Sequence, residues 1–171
     1  MTREELIQTV DTYRATTFRI AYGYTGSYED SEDISQDVFL KLYSLDKTFK
    51  DEEHKKAWLI RVTINKAKSL LRTSWKQKRD DFDNLRNLED RPYYCEVADR
   101  ELFDCVMRLP EKYRTVVYLF YYEDYTTAQI AKFLKITQTA VTTRLARARD
   151  ELKRTYAKIE KEELRHAGNE A

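Results

Sequence analysis

The sequence predicts an all-α protein, on three observations. Only three Gly and two Pro interrupt 171 residues. Charged residues make up 36% of the chain and hydrophobic ones 42%, a soluble composition with enough apolar material for real cores. Leu, Ile, Val and the aromatics return every three or four positions over long stretches, which is the period of an amphipathic helix. The length suits one ordinary domain or two small ones. No apolar run approaches the ~20 residues that span a bilayer. The opening MTREELIQTV lacks the basic and apolar regions of a secretory signal, so the expected location is the cytoplasm.

The first helix is predicted from Thr2, which forms a capping-box pattern with Glu5, and turns Leu6, Val10, Tyr13 and Phe18 inward. GYTGSYED, holding two of the three glycines, ends it. A second helix over Ser31 to Leu45 buries Ile34, Val38, Leu42 and Leu45. It leaves Asp33, Gln36, Asp37 and Lys41 outside, with Phe39 beside the apolar stripe rather than within it. After the polar loop DKTFKDEEH, a third helix from about Lys55 to Ser74 sets Trp58, Leu59, Val62 and Leu70 at helical spacing. Arg61, Asn65, Lys68 and Arg72 occupy another face. These three helices make one bundle.

Residues 76–96, KQKRDDFDNLRNLEDRPYYCE, have weak periodicity and an acidic bias and read as an irregular linker. Helical pattern resumes with Val97, Phe103, Val106 and Met107, stops at Leu109 and restarts at Pro110, a residue suited to the first turn of a helix. PEKYRTVVYLFYYED is rich in aromatics and is expected to pack beneath the segment that follows. That segment, from Tyr125 to Arg154, reads as helix twice, with KIT between. Thr126 can cap the first of these helices with Gln129 reaching back, and Ile130, Ala131 and Leu134 form its apolar side. Thr137 can cap the second. Val141, Leu145, Ala148 and Leu152 then face the core, and Thr139, Thr143, Ala146 and Arg147 project away from it. Bending at KIT, with Ile136 at the corner, frees one face of the second helix. The pattern is a helix-turn-helix, whose second helix has the width of the DNA major groove.

A net charge of +1 hides a strongly uneven distribution. Residues 1–54 carry 6 basic and 12 acidic side chains, 55–79 carry 9 and none, 80–111 carry 4 and 10, and 112–171 carry 12 and 8. An acid-free basic block is an electrostatic footprint for a polyanion; a solvated basic face is the alternative. Catalysis finds no support. His54 and His166 lie in a loop and the tail, no Gly-rich phosphate loop exists, and carboxylates lack a His or Cys neighbour at catalytic spacing. No catalytic residue, metal ligand set or cofactor is expected. Cys95 and Cys105 have no partners at metal spacing and read as ordinary thiols.

LPEKYRTVVYLFYYEDYTTAQIAKFLKITQTAVTTRLARARDEL resembles region 4 of bacterial sigma factors, and EDISQDVFLKLYSL followed by AWLIRVTINKAKSLLR resembles region 2. Their order and extent resemble the group 4, extracytoplasmic function type. The resemblance implies region 2 over residues 1–75, a linker over 76–96 and region 4 over 97–171. It implies two partners, core RNA polymerase and promoter DNA, with no small-molecule substrate and no membrane insertion. The family commonly has an anti-sigma inhibitor, a further candidate partner that no residue here specifies.

By resemblance, Asp33, Gln36, Asp37, Phe39 and Lys41 match the polymerase-binding helix, which as bare sequence would be a solvated face. Phe49, Trp58, Arg61, Asn65, Lys66, Lys68 and Arg72 match the capture of the single-stranded minus-ten element, a task that needs cations and aromatic surfaces. Asn65, in the family's RxxxN pattern, offers a donor and an acceptor to a flipped base; Trp58 also fits a plain core position. Gln138, Thr139, Thr142, Thr143, Arg144, Arg147 and Arg149 match the reading of the minus-thirty-five duplex. The linker, ~70 Å when extended, spans elements ~55 Å apart, and its acidic run resembles family linkers that thread the polymerase RNA channel. Where the family has Gly in the turn this chain has Lys135, and where it has Gly before the third helix of the domain this chain has Asp124. A left-handed Lys costs about 1 kcal/mol relative to Gly, and Asp tolerates the conformation better. The rival reading is a helix-turn-helix regulator that binds duplex DNA as a dimer without polymerase, and it leaves the acid-free helix with Trp58 and Asn65 unexplained.

Overall fold

A computed structural model describes residues 1–45, 48–74 and 100–169. Its elements are α-helices, with no strand among the described residues, as the periodicity predicts. The chain divides into two compact units, Met1–Glu96 and Val97–Ala171. The expected linker and Cys95 lie outside the described residues.

The first unit is a bundle of α1 (Arg3–Thr25), α2 (Tyr28–Tyr43) and α3 (Glu52–Ser74). Thr2 caps α1 in a full capping box with Glu5, and Gly26 ends it in the left-handed conformation at φ 63°. Ser27 caps α2 through the Asp30 amide, so this helix begins a turn before the predicted Ser31. Asp51 accepts from the His54 amide at 2.7 Å where α3 begins. Phe18, Leu42, Leu59, Ile60 and Ile64 are almost wholly buried, each contributing about 1.5–3 kcal/mol relative to exposure. Small polar residues fill the seam between α1 and α2: the Thr17 and Ser35 hydroxyls meet at 2.6 Å, and those of Thr25 and Ser31 at 2.9 Å. Thr9, Thr17, Ser31, Ser35 and Thr63 are all buried. Short side chains let the helices approach closely, and each hydroxyl can satisfy its proton on a carbonyl or a neighbouring hydroxyl.

Two expectations for this unit need correction. Phe39 is buried, 7% exposed, rather than projecting beside the stripe. The apolar side chain on the outer face of α2 is Leu40, 66% exposed, with Tyr43 at 55% nearby. On α3 the buried set extends from Leu59 and Val62 to Ile60, Thr63, Ile64 and Ala67, while Trp58 and Leu70 are only half-buried. The helix packs on both α1 and α2, so its buried arc is wider than a single stripe.

The second unit comprises α4 (Arg100–Arg108), α5 (Glu111–Tyr121), α6 (Thr127–Leu134) and α7 (Gln138–Asn169). Pro110 stands at the cap of α5 rather than in its first turn, its carbonyl accepting from the Tyr113 and Arg114 amides. Arg114 is buried and donates from Nη1 to the Met107 carbonyl at 3.0 Å, fastening α5 to the end of α4. Cys105, Met107, Leu109, Val116, Leu119, Ile130, Val141, Leu145 and Ala148 form the core.

Candidate nucleic-acid and polymerase faces

On α3 the residues Trp58, Arg61, Asn65, Ser69 and Arg72 follow the i, i+3, i+7, i+11, i+14 spacing and share one narrow face. Arg61, Asn65 and Arg72 are exposed along it. The half-buried Trp58 closes one end, held edge-on by Phe49 at 5.6 Å between centroids and 64° between planes. Phe49 in turn meets His54 at 5.7 Å. The resulting strip is cationic and polar with an aromatic stop, ~21 Å long at 1.5 Å per residue. Lys66 and Lys68 lean off it in opposite directions. Lys66 Nζ reaches Asp37 on α2 at 2.7 Å, and Lys68 Nζ lies 5.9 Å from the centre of the Tyr24 ring on α1.

The neighbouring face of α2 exposes Asp33, Gln36, Asp37 and Lys41, with Leu40 amid them. Carboxylates, an amide and one apolar side chain make a surface suited to protein contact, and Phe39 does not belong to it. The signal that could have found Leu40 is its angle: two residues beyond Val38, it lies opposite the buried stripe. The Lys66–Asp37 pair ties the α2 face to the flank of the α3 face.

In the second unit the corner between α6 and α7 is built as its residues suggest. Thr126 and Gln129 complete a capping box. The Thr137 hydroxyl accepts from the Ala140 amide at 3.1 Å at the start of α7. The turn passes through Lys135 in the left-handed conformation, φ 56° and ψ 46°, and its amide and that of Ile136 both reach the Ala131 carbonyl. Asp124, before α6, is left-handed too, φ 55°. Tyr125 then packs edge-on to Phe133 at 4.8 Å.

With Val141, Leu145 and Ala148 buried, α7 turns Thr139, Thr142, Thr143, Ala146, Arg147 and Arg149 outward. Thr142 and Thr143 donate their hydroxyl protons to the Gln138 and Thr139 carbonyls, at 2.7 and 2.9 Å, leaving oxygen lone pairs and methyls for a ligand. Gln138 donates to Thr127 Oγ1 at 2.9 Å and bridges the two helices. Arg149 Nε donates to the Tyr121 hydroxyl at 2.9 Å, which holds this cation on the opposite flank of α7 from Arg144 and Arg147. Lys112, Tyr113 and Tyr121 of α5 border the face; one-helix reasoning missed them because they are remote in sequence.

Residues 9–77 match the family model for sigma-70 region 2, and residues 99–152 match that for sigma-70, region 4. The chain belongs to the sigma-70 family. Among relatives of this sigma-70 family member is the RNA polymerase sigma factor SigV of Bacillus subtilis, 27% identical over 165 residues, covering 95% of this chain and 96% of the relative. The ECF RNA polymerase sigma factor SigW of the same organism is 26% identical and covers 85% of each. These relatives support the extracytoplasmic function type. Two solved structures share the fold of this sigma-70 family member. The sigma factor RpoE, in complex with the anti-sigma factor NepR from Bartonella quintana, has a TM-score of 0.68 at 16% identity, covering 90% of this chain and 98% of that one. CnrH, in complex with the cytosolic domain of CnrY, has a TM-score of 0.62 at 20% identity, covering 91% and 90%. Among the described residues no helix is long and apolar enough to cross a membrane, and no group of three or more potential metal ligands occurs.

Proposed function

We propose that this sigma-70 family chain binds core RNA polymerase and directs it to promoters, with residues 1–75 serving as region 2 and 97–171 as region 4. Polymerase docks on the α2 face through Asp33, Gln36, Asp37, Leu40 and Lys41. The α3 strip captures the minus-ten element as single strand, with Phe49 and Trp58 as aromatic surfaces. Arg61, Lys66, Lys68 and Arg72 supply cations, and Asn65 contacts an unstacked base edge. Helix α7 reads the minus-thirty-five duplex through Thr139, Thr142 and Thr143, with Gln138, Arg144, Arg147 and Arg149 holding it against the backbone. The reaction belongs to the polymerase; this chain supplies recognition and strand opening, in the cytoplasm where both partners are found. An anti-sigma protein, the kind of partner bound to RpoE in its solved complex, is a further proposed partner.

The observation that carries this reading is the adjacency of two unlike faces on one bundle: a carboxylate-bearing face on α2 and a cation–aromatic strip on α3, joined by Lys66–Asp37. A regulator acting on duplex DNA alone needs neither. Gel filtration with core polymerase followed by run-off transcription on genomic fragments tests it. A one-to-one complex that starts transcripts at defined sites is expected; a DNA-bound dimer that ignores polymerase would overturn it.

A further inference from the structure

We propose that the groove between the start of α5 and the N-terminal half of α7 seats a phosphate of duplex DNA, with Lys112 and Tyr113 as contacts additional to those on the recognition helix. The inference rests on the reading that the second unit binds duplex DNA. The groove encloses about 300 Å³, and its walls include Lys112, Tyr113, Thr139, Thr143, Arg144 and Arg147. Three cations and several hydroxyls line it, with no carboxylate. Among the described residues, none of these three cations makes an ion pair. Lys112 Nζ instead lies 5.1 Å from the centre of the Tyr113 ring, which steadies a cation without neutralising it.

The sign of charge marks where this surface stops. The next hollow along α7, reached past Tyr113 and Arg147, is walled by Asp150, Glu151 and Arg154. On this flank of α7 carboxylates therefore begin just beyond the groove. Inside the groove, positive charge excludes a metal ion, and the polar walls disfavour an apolar ligand. The space is at the lower limit of small-molecule sites, and a tetrahedral anion with several acceptor oxygens matches the donors.

The source of that anion follows from continuity. Thr139 and Thr143 line the groove and also belong to the outward face of α7. A helix lying in the major groove is flanked by the sugar–phosphate backbones on either side. A duplex approaching Thr139 and Thr143 therefore brings one backbone to the flank that carries Arg144, Arg147 and Lys112. Lys112 sets register and affinity there without reading a base.

The test uses the full chain, alone and assembled with core polymerase, titrated against labelled duplexes at several salt concentrations. Lys112→Ala is expected to weaken binding on every sequence and to reduce the log–log salt slope by about 0.9, the value for one phosphate. Lys161→Ala, an exposed cation on the distant part of α7, is expected to leave the slope unchanged. Replacing single phosphates by neutral methylphosphonates is expected to weaken the native chain at one flanking position and to have no effect there on Lys112→Ala. An unchanged slope and scan for Lys112→Ala, beside a reduced slope for Arg147→Ala, overturns this inference alone. Absence of salt-dependent duplex binding by the native chain in both forms overturns the reading of the unit itself. If inorganic phosphate raises the melting temperature of the native chain but not of Lys112→Ala, and the duplex slope is unchanged, the groove is a free-anion site and the duplex proposal fails.

Discussion

The two units turn their chains with different chemistry. In the first, the sharp reversal after α1 uses Gly26, for which φ 63° carries no steric penalty. In the second, the reversals on either side of α6 use Asp124 and Lys135, the two non-glycine residues of positive φ among those described. Charges differ likewise. The first unit ties cations to its own carboxylates, Lys66 to Asp37 and Lys55 to Glu52, whereas Lys112, Arg144 and Arg147 of the second make no such pair. The lesson is that in both units pairing goes with position. Lys66 between helices, Lys55 at the start of α3 and Arg154 beyond the groove meet carboxylates, whereas Arg61 and Arg72 on the α3 strip, like the groove cations, make no ion pair among the described residues. The second unit depends in addition on its two strained corners.

The largest expected effect tests the internal pairing. Asp37→Arg places a like charge beside Lys66 and reverses the α2 face, so polymerase affinity should fall about 100-fold while duplex binding by the full chain stays unchanged. Lys66→Ala separates the two causes. If it reproduces the whole loss, Asp37 acts only as a partner of Lys66, and the docking face must be redrawn around Leu40.

Asn65→Ala should leave polymerase binding intact and slow promoter opening about tenfold, the equivalent of one lost hydrogen bond to a base. Permanganate reactivity of the bubble measures it. Normal opening at limiting protein would remove Asn65 from the strip and leave Arg61 and Arg72 as its functional part.

The corner comparison predicts a smaller change. Lys135→Gly should relieve about 1 kcal/mol of left-handed strain, and amide exchange in α6 and the start of α7 should slow about fivefold. The same change should leave exchange in the first unit unaltered. No change in α6 would mean that the contacts of Lys135 already offset its strain.

The smallest effect concerns the start of α3. The Glu52 carboxyl is held below its ordinary value of 4.5, foremost by the hydrogen bond from Lys55, with burial opposing and Tyr13 and the Lys55 charge assisting. A carboxyl lowered on folding stabilises the fold above its unfolded value, and that contribution is lost as pH falls through the lowered one. Native protein should therefore lose slightly more stability than Glu52→Gln on acidification below about 4.5. Parallel melting curves over that range would cancel this assignment. The group is mostly exposed, so screening keeps the effect small.

Helix periods, both capping boxes and the Thr137 cap were legible from residue types alone, because each is decided by neighbours within a few positions; the left-handed positions at Asp124 and Lys135 were legible only through the resemblance to a family that has Gly there. The same local logic put Arg61, Asn65 and Arg72 on one face of α3 and Thr139, Thr143 and Arg147 on the outer face of α7. Tertiary packing decided the rest. Phe39 is buried because α2 meets two other helices, so its buried arc exceeds one stripe. Thr17 and Ser35 lie in the core because close helix approach and a shared hydroxyl contact outweigh their polarity. Lys66 meets Asp37, Arg149 meets Tyr121, and Lys112 joins Arg147 across one groove, only because separate helices bring them together. Periodicity describes one helix against an implied core, and these contacts depend on which helix supplies that core.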